Sequence, residues 1–330
     1  MRIHLVTRQI IWGGGETFLL ATAQAFAARG HVVSLGVPAH SMLATKAVDL
    51  TLTLDSIRVP ADMIVCNDFH SLRRHAMFWS SGGLKFVVHG WWQTSVPRNL
   101  FARLANAELF AASNAVRTAI IQHGFYASRD LGILPIGPDH SRFRPPTTDE
   151  RAAARAHFGF ASADCVFVFI GRLQDIKRPA LAINATREAR ARGLIVTPSP
   201  TNAEEHALAT SIRRATESDP SLLWKVDGNP REALWAADVF LNTSEFESLG
   251  IAMMEAMACG IPVVTTARGG VDDFLFDGES GYICRGDVGL LSERLKALRS
   301  DQGLRQKLGR NAILRVKDRT YERVAVMLGG

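Results

Sequence analysis

The sequence predicts an α/β protein made of two Rossmann-like domains. Short apolar strand candidates alternate with longer amphipathic or alanine-rich segments along the whole chain, which is the pattern of parallel sheets covered by helices. The 330 residues are enough for two domains that each bury a core of their own. The content of 47% apolar and 21% charged residues is that of a soluble globular protein.

In the first half of the chain, apolar runs predict strands at about 3–7, 32–37, 63–66, 85–89, 109–112 and 132–135. Helices are expected between them, most clearly over 16–29, where Gly30 supplies a stop signal. The stretch 135–148 is rich in proline, glycine and polar residues, which is typical of an exit from a domain. We therefore place an N-terminal Rossmann-like domain at 1–145 and a C-terminal Rossmann-like domain at 146–330, with the last helix expected to pack back on the first domain.

The second half repeats the alternation. Strands are predicted at about 165–170, 194–196, 222–226, 238–242 and 262–265, and helices at about 179–192, 203–217, 230–235 and 249–259. Ligands of such folds bind outside the carboxyl ends of the parallel strands. We therefore expect the two sheets to face each other across an interdomain cleft that holds the ligands.

Composition excludes several classes of protein. No run of 18 apolar residues predicts a membrane span, and the start of the chain indicates a first strand rather than a secretory signal. Cys66, Cys165, Cys259 and Cys284 lack metal-ligand spacing, which favours a reduced, cytoplasmic compartment. Lys and Arg exceed Asp and Glu by 38 − 32 = 6, which favours an anionic partner. Because the basic residues are dispersed, we expect no nucleic acid, whereas a nucleoside diphosphate or an anionic membrane surface remains a candidate partner.

Glu247 and Glu255 stand eight residues apart, where a loop leads into an apolar helix. The helix predicted over 249–259 has almost no polar face, so an ionised Glu255 would cost several kcal/mol unless something pairs with it. Glu247 and the amides of residues 248–250 are expected at the helix N-terminus, which favours an anion such as a phosphate. Hydroxyl acceptors beside a phosphate cradle suit a nucleotide sugar. The alternative is that Glu247 caps the helix and Glu255 pairs with a basic neighbour.

Two cations follow the first strand of the second half. Arg172 and Lys177 lie in a loop after Gly171 that leads into a helix beginning near Pro179. A guanidinium fork and an ammonium point charge together can neutralise a diphosphate leaving group. The alternative is two solvated surface charges.

Candidates in the first half lie where predicted strands end. Gly13, Gly14 and Gly15 form a turn that leads into a helix starting near Glu16, which lets backbone amides approach a ligand. His89 ends another strand, where it can bond a sugar hydroxyl or act as a structural donor. Acceptor-side candidates follow the strand ends as well: Asn67, Asp68, His70 and the aromatic pair Trp91 and Trp92.

No D-x-D pair and no His and carboxylate set has the spacing of a metal site. Positive charge from Arg172, Lys177 and helix amides would then stabilise the leaving group in place of Mg²⁺. The sequence thus predicts that no cofactor and no metal is required.

The segment 237–282 resembles the C-terminal signature of the family 4 retaining glycosyltransferases. The matching runs are Ala-Asp-Val-Phe-Leu-Asn-Thr-Ser, Glu-Ala-Met-Ala-Cys-Gly-Ile-Pro-Val-Val and Asp-Gly-Glu-Ser-Gly-Tyr. The Gly-Gly-x-Glu turn and the Gly-Arg-Leu loop with its lysine are similar to further elements of the family, although Arg178 stands where the family often has glycine. The resemblance implies a GT-B fold and transfer of a hexose from a nucleoside diphosphate sugar, with retention at the anomeric carbon.

The resemblance also implies that the domain at 1–145 binds the acceptor and the domain at 146–330 binds the donor, and it implies roles for individual residues. Glu247 would bond hydroxyls of the donor sugar, Glu255 the ribose, and Arg172 and Lys177 the diphosphate, with His89 beside the sugar. The donor-binding set also includes glycines and residues of the loop around Glu247: Gly14, Gly15, Gly171, Phe246, Ser248, Leu249, Gly250 and Gly228. The acceptor-side set is Glu16, Asn67, Asp68 and Trp91.

The implied co-substrate is a UDP-sugar or a GDP-sugar, and the acceptor is a saccharide, glycolipid or small molecule. A role in polysaccharide or lipopolysaccharide biosynthesis is expected, in the cytoplasm or peripherally on the inner face of the membrane. Two alternatives remain: a related epimerase or phosphorylase, and a non-catalytic nucleotide-sugar-binding partner of another transferase. A dinucleotide oxidoreductase is disfavoured because Gly13, Gly14 and Gly15 lack the G-x-G-x-x-G spacing.

Overall fold

The computed structural model describes residues 1–10, 12–47, 49–54, 60–76, 83–90, 107–122 and 131–329. The chain forms two compact units: unit 1 comprises Met1–Gly137 with Arg319–Gly330, and unit 2 comprises Pro138–Asp318. Residues 138–145, which the sequence analysis assigned to the first domain, belong to unit 2. The indole nitrogen of Trp235 donates to the carbonyl of Arg144 at 3.0 Å, so this stretch is held on unit 2.

Unit 1 contains a seven-stranded parallel sheet. Its strands are β1 (Arg2–Val6), β2 (Val32–Val37), β3 (Thr51–Leu54), β4 (Met63–Cys66), β5 (Leu84–Val88), β6 (Ala107–Ala111) and β7 (Gly132–Ile133). Helices described in this part of the chain are α1 (Gly14–Ala28), α2 (Met42–Lys46), α3 (Phe69–Ala76) and α4 (Asn114–Gln122). The strand order is β3-β2-β1-β4-β5-β6-β7, so the carboxyl ends of β1 and β4 flank the point where the order reverses.

Unit 2 contains a six-stranded parallel sheet in the order β10-β9-β8-β11-β13-β15. Its strands are β8 (Val166–Ile170), β9 (Arg192–Thr197), β10 (Leu222–Val226), β11 (Val239–Asn242), β13 (Val263–Thr265) and β15 (Gly281–Ile283). A separate pair is formed by β12 (Phe246–Glu247) and β14 (Arg268–Gly269). The helices are α5 (Thr148–Phe158), α6 (Pro179–Glu188), α7 (Ala203–Glu217), α8 (Pro230–Ala236), α9 (Ile251–Ala258), α10 (Val288–Ser300) and α11 (Gln302–Val316).

The chain ends with α12 (Tyr321–Leu328), which belongs to unit 1 and packs against α1. None of the helices in the described ranges combines the length and apolar character that crossing a membrane requires.

The strand predictions are confirmed in both sheets, while four strands (β3, β12, β14 and β15) and several helices, among them α10 and α11, escaped prediction. β3 is only four residues of alternating Thr and Leu, too short to stand out from a loop. β12 and β14 have two residues each, and they exist only because two loops of unit 2 come together in space.

The core of unit 2 follows from buried parallel strands. Phe167 and Phe169 on β8 join Leu241 on β11 and Val264 on β13 in one cluster of buried side chains. Full burial of each such side chain stabilises the fold by about 1.5–3 kcal/mol. These packed strands give the loops at their carboxyl ends a rigid base.

Candidate functional site

The first candidate site lies at the carboxyl ends of β8, β11 and β13 in unit 2. The loop after β8 forms a 3₁₀ turn at Asp175–Lys177, and the loop after β11 carries β12. This is the edge of a parallel sheet where ligands of α/β proteins bind. Lys177 and Glu247 meet here: the Nζ of Lys177 donates to Oε1 of Glu247 at 2.7 Å. Their side chains retain 20% and 13% of their exposure, so the ion pair is enclosed but still open to a ligand.

Two further donors converge on the same oxygen of Glu247. The Oγ of Ser244 donates to Oε1 at 2.7 Å, and the Nδ2 of Asn242 donates to it at 3.1 Å. The Oγ1 of Thr265 in turn donates to Oδ1 of Asn242 at 2.9 Å, which fixes the amide orientation. Sequence reasoning missed Asn242, Ser244 and Thr265. Their position could have identified them, because each lies at or just after the carboxyl end of a predicted strand, where ligands of such folds bind.

Glu247 is held ionised. Burial alone would raise its pKa, but the charge of Lys177 and the hydrogen bonds from Lys177, Ser244 and Asn242 lower the pKa below its ordinary value. Its second oxygen, Oε2, receives no hydrogen bond from the described residues. The site therefore presents a fixed carboxylate oxygen that can accept a hydrogen bond from a hydroxyl group.

The loop that carries Glu247 depends on glycines. Gly250 has φ of 94° and caps α9 without a side-chain hydrogen bond. A Cβ on Gly270 would lie 2.1 Å from the carbonyl oxygen of Ser248, so the two loops approach as only glycine allows. Helix α9 begins at Ile251, which corrects the prediction that the amides of residues 248–250 belong to its first turn. Glu247 lies on β12, and the first amides of the helix are those of Ile251 and Ala252.

Glu255 lies on α9 and is half-buried. Its carboxyl group makes no hydrogen bond or ion pair with any described residue, so the alternative that it pairs with a basic neighbour is not observed. Burial raises its pKa to about 8, which the charge of Arg142 only partly offsets. The sequence predicts that an ionised Glu255 is costly without a partner, and the raised pKa agrees with that cost; its contact with a hydroxyl-rich ligand stays a prediction.

Arg172 follows the glycine at the end of β8 and is exposed. Within the described ranges its guanidinium forms no hydrogen bond or ion pair, so it is available to an anion. A Cβ on Gly171 would lie 3.1 Å from the ring of Phe169, and one on Gly228 would lie 3.2 Å from a methyl group of Val196. Both glycines therefore keep turns at strand ends tight. Phe246 precedes Glu247 on β12, and the side chain of Leu249 is buried.

The second candidate site lies at the carboxyl ends of β4 and β5 in unit 1. The Nε2 of His89 lies 2.6 Å from Oδ1 of Asn67, which favours the tautomer that carries its proton on Nε2. A Cβ on Gly15 would lie 3.0 Å from Nδ2 of Asn67, so the glycine turn closes directly over this pair. The ring of His89 packs edge-on against Phe18, with centroids 5.0 Å apart. Burial lowers the pKa of His89 to about 4, so the imidazole is neutral at pH 7.

The remaining predicted residues of unit 1 divide into three cases. Gly14 and Glu16 lie in the first turn of α1, and Glu16 is buried. Asp68 is buried and accepts hydrogen bonds from the backbone amides of Arg8 (2.7 Å) and Ser71 (2.9 Å), so its carboxylate organises α3 and the loop after β1. Trp91 lies outside the described residues.

Within the described part of the chain, no group of three or more His, Cys, Asp or Glu residues is placed to hold a metal ion. Independence of metal stays a prediction, since the reaction itself has to be measured.

Residues 150–315 match the family model described as Glycosyl transferases group 1, which is half of the chain. The chain is 29% identical over 223 residues to the D-inositol 3-phosphate glycosyltransferase of Nocardia farcinica, covering 64% of this chain and 49% of that protein. It is 34% identical over 192 residues to the enzyme of the same name from Kribbella flavida, covering 54% and 44%. The chain thus spans about half the length of the curated relatives it matches.

The fold is shared with solved structures over nearly the whole chain. The Anabaena protein HepE, crystallised in complex with UDP and glucose, superposes with a TM-score of 0.84 over 99% of this chain and 98% of its own, at 19% identity. At 19% identity, the similarity to HepE shows a shared fold and nothing more. The predicted α/β fold of the GT-B type, with parallel sheets in two domains, is confirmed.

Proposed function

The chain belongs to the family Glycosyl transferases group 1, and on that premise we propose that it moves a sugar from a nucleoside diphosphate sugar to an acceptor hydroxyl, with retention and without a metal. The observation that carries the proposal is the Lys177–Glu247 pair at 2.7 Å, beside the uncapped start of α9. Lys177 supplies a cation for a phosphate, and the carboxylate of Glu247, in direct contact with it, supplies a fixed acceptor for sugar hydroxyls.

The donor is held by unit 2 in this proposal. Lys177 and Arg172 neutralise the diphosphate, and the first amides of α9 add the positive end of a helix dipole. Glu247 accepts hydrogen bonds from hydroxyls of the donor sugar, and Glu255 meets the ribose. HepE, which has the same fold, has been crystallised with UDP and glucose and with UDP-glucose, and this supports UDP-glucose as the first donor to test.

The reaction breaks the bond between the anomeric carbon and the leaving phosphate oxygen and forms a bond from that carbon to the acceptor oxygen. Retention is expected from attack on the face that the leaving group vacates, with the acceptor proton passing to the departing phosphate. Positive charge from Lys177 and Arg172 stabilises the leaving diphosphate, which is the electrostatic contribution the chain itself supplies.

The acceptor is assigned to unit 1, where the neutral His89, oriented by Asn67, borders the glycine turn. The names of the curated relatives make an inositol phosphate one acceptor to test. Saccharides and glycolipids are the others. The net charge supports an anionic acceptor or an anionic membrane surface, because unit 1 contributes 14 − 8 = +6 and unit 2 contributes 24 − 24 = 0.

The test begins with thermal unfolding in the presence of UDP-, GDP- and ADP-sugars. A ligand at 100 times its dissociation constant stabilises the folded protein by about 2.7 kcal/mol. The stabilising donor is then incubated with candidate acceptors, and the product is examined by NMR for its anomeric configuration, with and without EDTA. A retained configuration at an undiminished rate in EDTA is expected. Release of an epimer or of a sugar phosphate in place of a glycoside, or binding without turnover, would contradict the proposal.

A further inference from the structure

Arg178 directly follows Lys177 and has a left-handed backbone, with φ of 48° and ψ of 57°. Such a conformation is disfavoured for a residue with a side chain and is more easily adopted by glycine. The backbone alone does not mark a site, because Arg190 also has a positive φ, of 52°. The side chain of Arg190 is exposed and makes no hydrogen bond or ion pair with a described residue. Arg178 differs from it in what its guanidinium binds.

The guanidinium of Arg178 makes three hydrogen bonds to protein groups. Its Nε donates to the carbonyl of Thr243 at 2.7 Å, and its Nη2 donates to Oγ1 of Thr266 at 2.9 Å and to the carbonyl of Ser244 at 3.2 Å. Thr243 and Ser244 follow β11, whereas Thr266 follows β13. One side chain therefore ties the loop after β8 to the loops after two neighbouring strands.

The backbone around Lys177 is fixed by the same segment. The Oγ1 of Thr243 donates to the carbonyls of Lys177 and Arg178, both at 2.9 Å. The amide of Glu245 donates to the carbonyl of Ile176 at 2.9 Å. These bonds join the peptide that carries Lys177 to the segment that carries Ser244 and Glu247. A lysine has a long, flexible stem, so the position of its charge depends on how firmly its peptide is held.

We propose that Arg178 is a positioning residue that holds the peptide of Lys177 against the loop after β11, so that Lys177 and Glu247 meet the donor in one fixed geometry. The proposal rests on the proposed function of this site. Removal of the guanidinium leaves the reacting groups in place but allows the lysine loop to shift. A displacement of about 1 Å can lower a rate by about 100-fold.

Three variants test the proposal: Arg178→Gly, Arg178→Lys and the matched control Arg190→Gly. Both glycine variants relieve a left-handed backbone, but only Arg178→Gly also removes hydrogen bonds near the site. We expect kcat to fall at least about tenfold in Arg178→Gly and to stay unchanged in Arg190→Gly. Arg178→Lys, which keeps a donor, should recover part of the loss, as should guanidinium ions added to Arg178→Gly at low millimolar concentration.

A second measurement needs no substrate. The carboxylate of Glu247 faces Lys177 on the 3₁₀ turn, Asn242 at the end of β11 and Ser244 after it, while the neighbouring β14 contributes the exposed Arg268. Titration of that carboxyl group by NMR should show a higher pKa in Arg178→Gly than in the wild type or in Arg190→Gly, because Lys177 is no longer held beside it.

The outcomes separate this proposal from the proposed function. If the wild type transfers no sugar, the proposed function fails and the titration alone decides the role of Arg178. If Arg178→Gly matches Arg190→Gly in both kcat and the titration of Glu247, Arg178 does not position Lys177. A uniform loss of folded protein in Arg178→Gly with a normal titration in the folded fraction would also overturn the proposal.

Discussion

The ammonium of Lys177 and the carboxylate of Glu247 lie 2.7 Å apart, although 70 residues separate them in the sequence. The contact exists because β8 and β11 are neighbours in a parallel sheet, so the loops at their carboxyl ends meet. Asn242 and Ser244 add hydrogen bonds to the same carboxylate oxygen. A fixed anion with a partner cation is thus built before any ligand arrives, which lowers the cost of organising the groups on binding.

Replacing either member of this pair should abolish transfer while the protein stays folded. We expect Glu247→Gln and Lys177→Met to lower kcat/KM by about 100-fold or more, because each removes a charge that the transition state uses. The double variant should be little worse than either single one, since the two groups act as a unit. Steady-state kinetics and circular dichroism measure the two properties.

The matched control is Glu279→Gln, which breaks the surface ion pair of Glu279 with Arg315. Exposed pairs contribute little, so this variant should keep wild-type kinetics and stability. Full activity in Glu247→Gln or in Lys177→Met would remove that residue from the site.

Glu255 should make the stability of unit 2 depend on pH. Its pKa is about 8 in the folded protein and 4.5 as the ordinary value, so between these limits the folded state holds a proton that the unfolded state has released. The contribution of Glu255 to the stability of unit 2 is therefore largest below pH 4.5 and falls by about 1.4 kcal/mol per pH unit as pH rises to about 8. Glu255→Gln should abolish this part of the slope.

Denaturant titrations at pH 5, 6, 7 and 8 measure the effect, with wild type and Glu255→Gln compared pairwise. The variant should gain stability over the wild type progressively towards pH 8. Parallel curves across this range would show that Glu255 titrates normally. A stabilising nucleotide sugar should reduce the difference, because the ligand gives the carboxylate the partners it lacks.

Much of the site was predictable because its chemistry stands out locally. Glu255 is a lone carboxyl group in an apolar helix, and Lys177 lies in a loop that leads into a helix with proline in its first turn. Neither inference required knowledge of the tertiary structure. The paired loops did require it, because β12 and β14 are too short to predict and depend on Gly269 and Gly270 for their close approach.

Other features were hidden because they depend on hydrogen bonds between distant residues. Asn242 and Ser244 look like ordinary strand-end residues until the structure places them against Glu247. Asp68 was expected on the acceptor side, but in the structure its carboxylate accepts hydrogen bonds from the backbone amides of Arg8 and Ser71. Sequence patterns identify groups that need a partner, whereas the identity of that partner is settled by the fold.

His89 should act through its neutral, oriented form. We expect His89→Ala to lower kcat by about 10- to 100-fold with little change in donor binding, because the residue lies in unit 1 and is assigned to the sugar and acceptor. Asn67→Ala should produce a smaller loss in the same direction, since it releases the ring from its 2.6 Å contact. The kinetics should be followed from pH 6 to pH 8, where a His89 with a pKa of about 4 stays neutral. The assignment would be contradicted if the rate depended on a group that titrates near pH 6.5 and if this pH dependence disappeared in His89→Ala.

Unit 1 should lose stability in mild acid because two buried histidines resist protonation. The rings of His4 and His75 lie 6.0 Å apart, and the buried Nε2 atom of each has no hydrogen-bond partner among the residues that the structure describes. The Nδ1 atoms contact the Oγ of Ser34 and the carbonyl of Ser71, both at 2.9 Å. Burial lowers the pKa of His4 to about 4 and also lowers that of His75, and a charge on either ring would repel the other.

The direction follows from which state binds the protons. Between pH 6.5 and pH 4 the unfolded chain protonates His4 and the folded chain does not, so unit 1 is destabilised as pH falls, by up to about 1.4 kcal/mol per pH unit for this ring. The lowered pKa of His75 acts in the same direction. Hydrogen exchange at pH 7 and pH 5 should show protection falling more in β1, β2 and α3 than in the sheet of unit 2. His75→Gln should reduce that pH dependence, judged by the slope against pH because the substitution also changes packing. Equal losses in both units, or an unchanged slope in His75→Gln, would show that the acid sensitivity arises elsewhere.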